Sequence, residues 1–128
     1  MRVLADTHAI LWWACDDPEL SPRARATLSS LETEVLVSAA SAWEVSTKVR
    51  LGKLPGAASF AFEFGRRVAR MGFQELPITV EHGQRAGSLP GLHKDPFDRM
   101  LISQALALNL PVVSCDKVFD EYRVVRIW

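Results

Sequence analysis

Short unbroken apolar runs alternate along this chain with longer stretches whose apolar positions recur at helical spacing. Residues 2–6 read as a first strand buried on both faces. Thr7 is positioned to cap a short helix through Ala9, Ile10, Leu11, Trp12 and Trp13. Ser21-Pro22 pairs an N-cap with a first-position proline and opens a helix to about Leu31. Val35-Leu36-Val37 is a second strand, and Ser38 starts a helix to roughly Leu51, stopped by Gly52. Ala57 to Met71 reads as one helix with Phe60, Phe64, Val68 and Met71 on one side and Glu63, Arg66, Arg67 and Arg70, a solvated face, on the other. A short strand falls within Phe73 to Ile78. Thr79 then caps a helix to about Ser88, weakened by Gly83 and Gly87. Asp95-Pro96 opens the next helix, its buried stripe running through Phe97, Leu101, Ala105 and Leu108 and its end near Asn109-Leu110-Pro111. Val112 to Cys115 is strand four, Asp116 to Tyr122 a turn or short helix, and Val124 to Trp128 a last strand. Strands alternating with helices predict an α/β fold, one domain over residues 1–128, with helices on both faces of a central, mainly parallel sheet of about four to five strands.

Composition narrows the class. Hydrophobic content of 48% with 23% charged residues is ordinary for a globular domain. No apolar run approaches the roughly 18 residues of a membrane span, so neither a transmembrane helix nor a signal peptide is expected. Cys15 and Cys115 have no metal-ligand spacing, and reduced thiols in the cytoplasm are the default. Lysine plus arginine equals aspartate plus glutamate at 15 each. That balance lacks the basic surplus of a constitutive nucleic-acid binder, although setting aside a few site acids leaves a basic remainder.

The acids that matter sit at strand ends. Asp6 closes Val3-Leu4-Ala5, Asp116 follows Val112-Val113-Ser114-Cys115, and Glu44 lies early in the helix after the second strand. Asp98 lies in the first turn of the helix opened by Asp95, three residues after the cap as in a capping box. In an open parallel sheet, sites form where the carboxyl ends of strands meet the following helix starts. Four carboxylates converging there repel one another unless a cation intervenes, which suggests a divalent-metal site. Asp95 itself is expected to be a structural cap. Lys48, four residues after Glu44, makes an ordinary helical ion pair. With Arg50 and Lys53, it also offers a phosphate track. His8, His82 and His93 lack zinc-like spacing, and His93 reads as a surface hydrogen-bonder. Arg99 supports a carboxylate or meets a phosphate. There is no P-loop, Gly-rich dinucleotide turn or Gly-x-Ser-x-Gly elbow.

The order Asp6-Thr7-His8, Trp43-Glu44, Asp95-Pro96-Phe97-Asp98-Arg99 and Ser114-x-Asp116 resembles the PIN-domain ribonucleases, and most of all the VapC-type toxins of bacterial toxin–antitoxin pairs. The similarity covers essentially the whole chain, and His93 to Arg99 is its most specific block. The resemblance implies an α/β/α sandwich, a Mg²⁺ or Mn²⁺ site, hydrolysis of RNA phosphodiesters, and a homodimer held by a small antitoxin. It places the acidic quartet on Asp6, Glu44, Asp98 and Asp116, with Thr7 and Ser114 as the accompanying hydroxyls. Trp12, Trp13, Phe60, Phe62 and Phe64 give more aromatic surface than a small core readily absorbs, so the helices starting at Thr7 and Ala57 are expected to form a dimer or antitoxin groove. Two rival functions share such a sheet. A phosphotransfer or phosphatase-type domain would want a second acid close after Asp6, where residue 8 is His, and a non-catalytic binding module would have an eroded quartet.

Overall fold

Along β1 (Arg2–Ala5), Val3 and Ala5 enter one core while Leu4 enters another, and this alternation sets the layers. β2 (Glu34–Ser38) repeats the pattern, Val35 and Val37 facing the first core and Leu36 the second. In the computed structural model, which describes residues 1–128, the sheet is completed by β3 (Gln74–Leu76), β4 (Val112–Val113) and β5 (Arg126–Ile127). All neighbours pair parallel, in the order β3-β2-β1-β4-β5. Helices cover both faces, as strands without a polar face require. The fold is the expected α/β/α sandwich.

The first core packs α1 (Thr7–Ala14), α2 (Pro22–Ser29), α4 (Ala58–Phe62) and α5 (Phe64–Arg70) against the sheet. The second is built mainly from α7 (Pro96–Leu108) and α8 (Val118–Glu121), with α6 (Val80–Ser88) against α7. α3 (Ala39–Arg50) contributes Ala40 to the second core and Val45 to the first. Sequence order runs outward from β1 to β3 on one side and from β4 to β5 on the other. The β1/β4 boundary is therefore the point where the order reverses, and a crevice opens at the carboxyl ends of such a pair.

Several local expectations change. Asp6, not Thr7, stands at the N-cap position of α1, and its carboxylate caps nothing. The Thr7 hydroxyl donates to Ser41 Oγ at 2.9 Å instead, tying α1 to α3 inside the core. The helix expected over 57–71 is broken. A 3₁₀ turn at Pro55–Ala57 leads into α4, and Glu63, with φ −121° and ψ 33°, separates α4 from α5. Phe60 is buried and packs edge-on against Phe64, with centroids 5.3 Å apart, while Phe62 points to solvent. The last two strands are short pairs rather than longer runs. Leu108, expected in the buried stripe of α7, is exposed, and Ile102 is buried in its stead. No helix is long and apolar enough to cross a membrane.

Candidate active site

Asp6, Glu44, Asp98 and Asp116 all line one cavity of about 380 Å³, together with Asp95, His8, Trp12, Lys48 and Cys115. Each acid arrives from a different element. Asp6 follows β1, Glu44 sits on α3, Asp98 on the first turn of α7, and Asp116 in the turn after β4. Ser38 starts α3 by accepting the Ala40 N–H, which directs the Glu44 face toward the crevice.

Asp6 and Glu44 are buried, and Asp98 is largely so. The Ser114 hydroxyl donates to Asp6 Oδ2 at 2.6 Å and accepts the Asp116 N–H at 2.9 Å, so one side chain positions two site acids. Asp116 Oδ1 accepts the Val118 N–H at 2.9 Å and thereby shapes its own turn. Burial raises the Asp6 carboxyl to about 6; Ser114 pulls the other way, and the charge of Asp98 adds to the rise. Asp98 is likewise raised by burial, opposed by its hydrogen bond to His93 and reinforced by Asp95 and Asp116. Glu44 pairs with Lys48 one turn along α3. Burial pulls the Lys48 ammonium down, but the hydrogen bond and charge of Glu44 outweigh it and hold it above its usual value.

Asp95 is the N-cap of α7, as expected, its Oδ1 accepting from Phe97 N at 2.9 Å and Asp98 N at 3.1 Å. Asp98 does not close a capping box. Its Oδ2 meets His93 Nε2 at 2.9 Å, which gives the loop histidine a site role where the sequence suggested a surface one. Arg99 directs its donors to backbone carbonyls, Leu89 at 2.6 Å and Ala86 and His93 at 3.0 Å each. It staples the loop carrying His93 to α7 and neither touches a carboxylate nor is free for a phosphate. Its support for the site is indirect. Sequence reasoning missed His93 because its partner is set by loop curvature, although its place five residues before Asp98 was a signal.

Five carboxylates face a single ammonium across this crevice, and the buried Asp6 has only a hydroxyl for a partner. Such a donor set fits a hard divalent cation, which takes carboxylate oxygens. As placed, no three of the groups meet around one point; Glu44 is paired with Lys48 and Asp98 with His93.

The description of the PIN domain matches residues 3–125, and the chain belongs to that family. A 62-residue stretch is 39% identical to ribonuclease VapC16 of Mycobacterium tuberculosis, covering 48% of this chain and 43% of that protein, so the match spans less than half of the relative. Among solved structures, VapBC2 from Rickettsia felis, bound to a DNA fragment from its promoter, superposes with a TM-score of 0.71 at 16% identity over 98% of this chain and 97% of that one. FitAcB from Neisseria gonorrhoeae gives 0.67 at 21% identity over 98% and 96%. At these identities the structural likeness shows the fold.

Proposed function

We propose that this chain is a divalent-metal-dependent endoribonuclease, the VapC-type toxin of a toxin–antitoxin pair, acting in the cytoplasm. The observation that carries the reading is the convergence of Asp6, Glu44, Asp98 and Asp116, from four separate elements, on one crevice at the sheet's switch point. The family match and the similarity to a ribonuclease VapC16 support it.

A phosphodiester resists hydrolysis because it and hydroxide are both anionic. Mg²⁺ or Mn²⁺ bound here would neutralise the phosphate and lower the pKa of water. The protein's part is positioning. Asp6, Glu44, Asp98 and Asp116 would hold the cation. Ser114 fixes the Asp6 carboxylate, and His93 fixes that of Asp98. Lys48, paired with Glu44, keeps an ammonium at the cleft wall, where it would meet the phosphate. The expected products carry 5′-phosphate and 3′-hydroxyl ends. Unpaired loops of RNA are the expected targets, since duplex grooves hide their bases.

The partner is a small antitoxin that places a basic side chain against the four carboxylates, and the toxin itself is a homodimer. A toxin–antitoxin complex among the structural relatives, from Klebsiella pneumoniae with a TM-score of 0.55, supports the antitoxin partner. Of the five aromatic residues expected to exceed the core, Phe60 is buried in the first core and Trp12, Trp13 and Phe64 pack partly buried against that core, leaving Phe62 alone fully outward.

The test is incubation of the purified protein with labelled structured and unstructured RNAs in Mg²⁺, Mn²⁺ or EDTA, beside Asp6→Asn. Cleavage by the wild type that EDTA and the substitution both remove is the expected result. Equal cleavage by the variant removes the site assignment, and a trapped phosphoenzyme would revive the phosphotransfer reading.

A further inference from the structure

A second cavity, of about 320 Å³, lies directly beside the acidic crevice and shares His8 and Trp12 with it as a common wall. Its size is at the lower end of small-ligand sites, roughly 300–1,000 Å³. The chemistry changes sign across that wall. Lys53 and Arg67 line the second cavity, and neither has a carboxylate partner anywhere in the protein. Asp17 is its single acid, with Oδ1 already accepting the Glu19 N–H.

Arg67 is not the solvated residue its helix pattern predicts. Its guanidinium carbon stands 5.5 Å from the centre of the Phe60 ring, its Nη2 makes a long 3.4 Å bond to Ser59 Oγ, and its Nε is buried without an acceptor. A stacked guanidinium keeps its fork of donors oriented, and here its Nη2, held only by the long Ser59 contact and by no carboxylate, is available to an anion. The wall shared with the crevice is aromatic. Trp12 is half-buried and braced between His8, with centroids 5.6 Å apart, and Trp128, at 5.8 Å.

We infer that this second cavity is a nucleotide subsite, taking the nucleotide next to the scissile phosphate of single-stranded RNA, its base against Trp12 and its phosphate on Arg67 and Lys53. The inference rests on the nuclease reading of the neighbouring crevice and adds where the strand runs from it. A strand with one phosphate among the carboxylates that runs past the shared wall enters a lining where two cations face one acid. Stacking on an aromatic ring with a cation for the backbone is the general chemistry of single-strand binding.

Binding is read without cleavage, as fluorescence anisotropy of a short labelled single-stranded RNA on Asp98→Asn protein. In that background Arg67→Gln and Lys53→Ala should each weaken binding about tenfold. Each should also lower the slope of log affinity against log salt by about 0.7, the value for one phosphate contact on a single strand. Lys53 is exposed in a loop, so its replacement leaves the fold intact even where loss of the Arg67 stack does not. With Asp98 restored, both changes raise KM while kcat is retained. An abasic nucleotide beside the scissile bond should weaken binding to Asp98→Asn and have no further effect once Trp12→Ala is added. Unchanged affinity and salt slope in both cation variants, with RNA still cleaved by the wild type, overturns the subsite and leaves the nuclease standing. A wild type that neither binds nor cleaves RNA overturns both. Loss of a protein partner by Arg67→Gln at undiminished RNA affinity assigns the cavity to that partner and overturns the subsite.

Discussion

Asp6 concentrates the physics of the site at one residue. Its carboxyl is buried, has one hydroxyl donor and faces other acids, so ionising it is costly without a cation. The sign follows directly. A folded-state value of about 6, against 3.8 for a free aspartate, means the folded protein holds this proton more tightly than the unfolded chain does. Metal-free protein should lose on the order of 3 kcal/mol of stability from this group as pH rises from about 4 to about 6, and the cost should persist above that. Asp6→Asn should flatten that part of the curve and be the more stable protein at pH 7 without metal. Denaturant melts across pH check it, and an unchanged pH profile in the variant would remove Asp6 as its cause. Asp98→Asn should keep the fold, since the Asp95 cap and the core face of α7 are untouched, yet abolish metal-dependent cleavage of labelled RNA. Which acids share the crevice was legible because Asp6 and Asp116 follow apolar runs, Asp98 stands in the first turn of a helix, and Glu44 lies in an apolar stretch of the helix after β2. His93, Arg99 and Arg67 were not, because their partners are a loop-borne carboxylate contact, backbone carbonyls and an aromatic face.

At the scale of elements, starts were better encoded than ends or interruptions. Ser21, Ser38, Thr79 and Asp95 all cap the helices expected of them, since a short polar side chain before an apolar periodic stretch satisfies free N–H groups locally. Gly52 and Gly72 end helices with φ near +75°, where a side chain would be strained. The break at Glu63 has no such local sign, because continuous helical periodicity runs across it. Thr7 looked like a cap and is a buried cross-link between α1 and α3, a choice made by Ser41 thirty-four positions away. The cap of α7 permits a clean separation of roles. Asp95→Ser should retain most activity, because serine also caps, whereas Asp95→Ala should cost about 1 kcal/mol by denaturant titration. If Asp95→Ser is folded but as inactive as Asp98→Asn, Asp95 belongs with the ligands.

For the whole molecule the zero net charge conceals a division. Of fifteen acidic side chains, five line the crevice with Lys48, so beyond it ten acids face fourteen lysines and arginines. The protein outside the crevice is therefore basic, and the composition hid this because it averages over the site. A cation held in the crevice as proposed would add to that basic character and also join parts that are far apart in sequence, since the acids come from the ends of β1 and β4 and from α3 and α7. Anything that binds the folded state alone stabilises it by mass action, about 2.7 kcal/mol at a hundredfold excess over Kd. For a domain of this length that amounts to a rise in Tm on the order of 10 °C. Mg²⁺ or Mn²⁺ should produce such a rise in the wild type, and replacing either Asp6 or Asp98 by Asn should largely suppress it. The expected gain grows between pH 5 and 7, because below about 6 the cation must displace the Asp6 proton. A wild type whose Tm is indifferent to both metals at pH 7, or an Asp6→Asn protein that gains as much as the wild type, would show that these carboxylates do not act together as a metal centre.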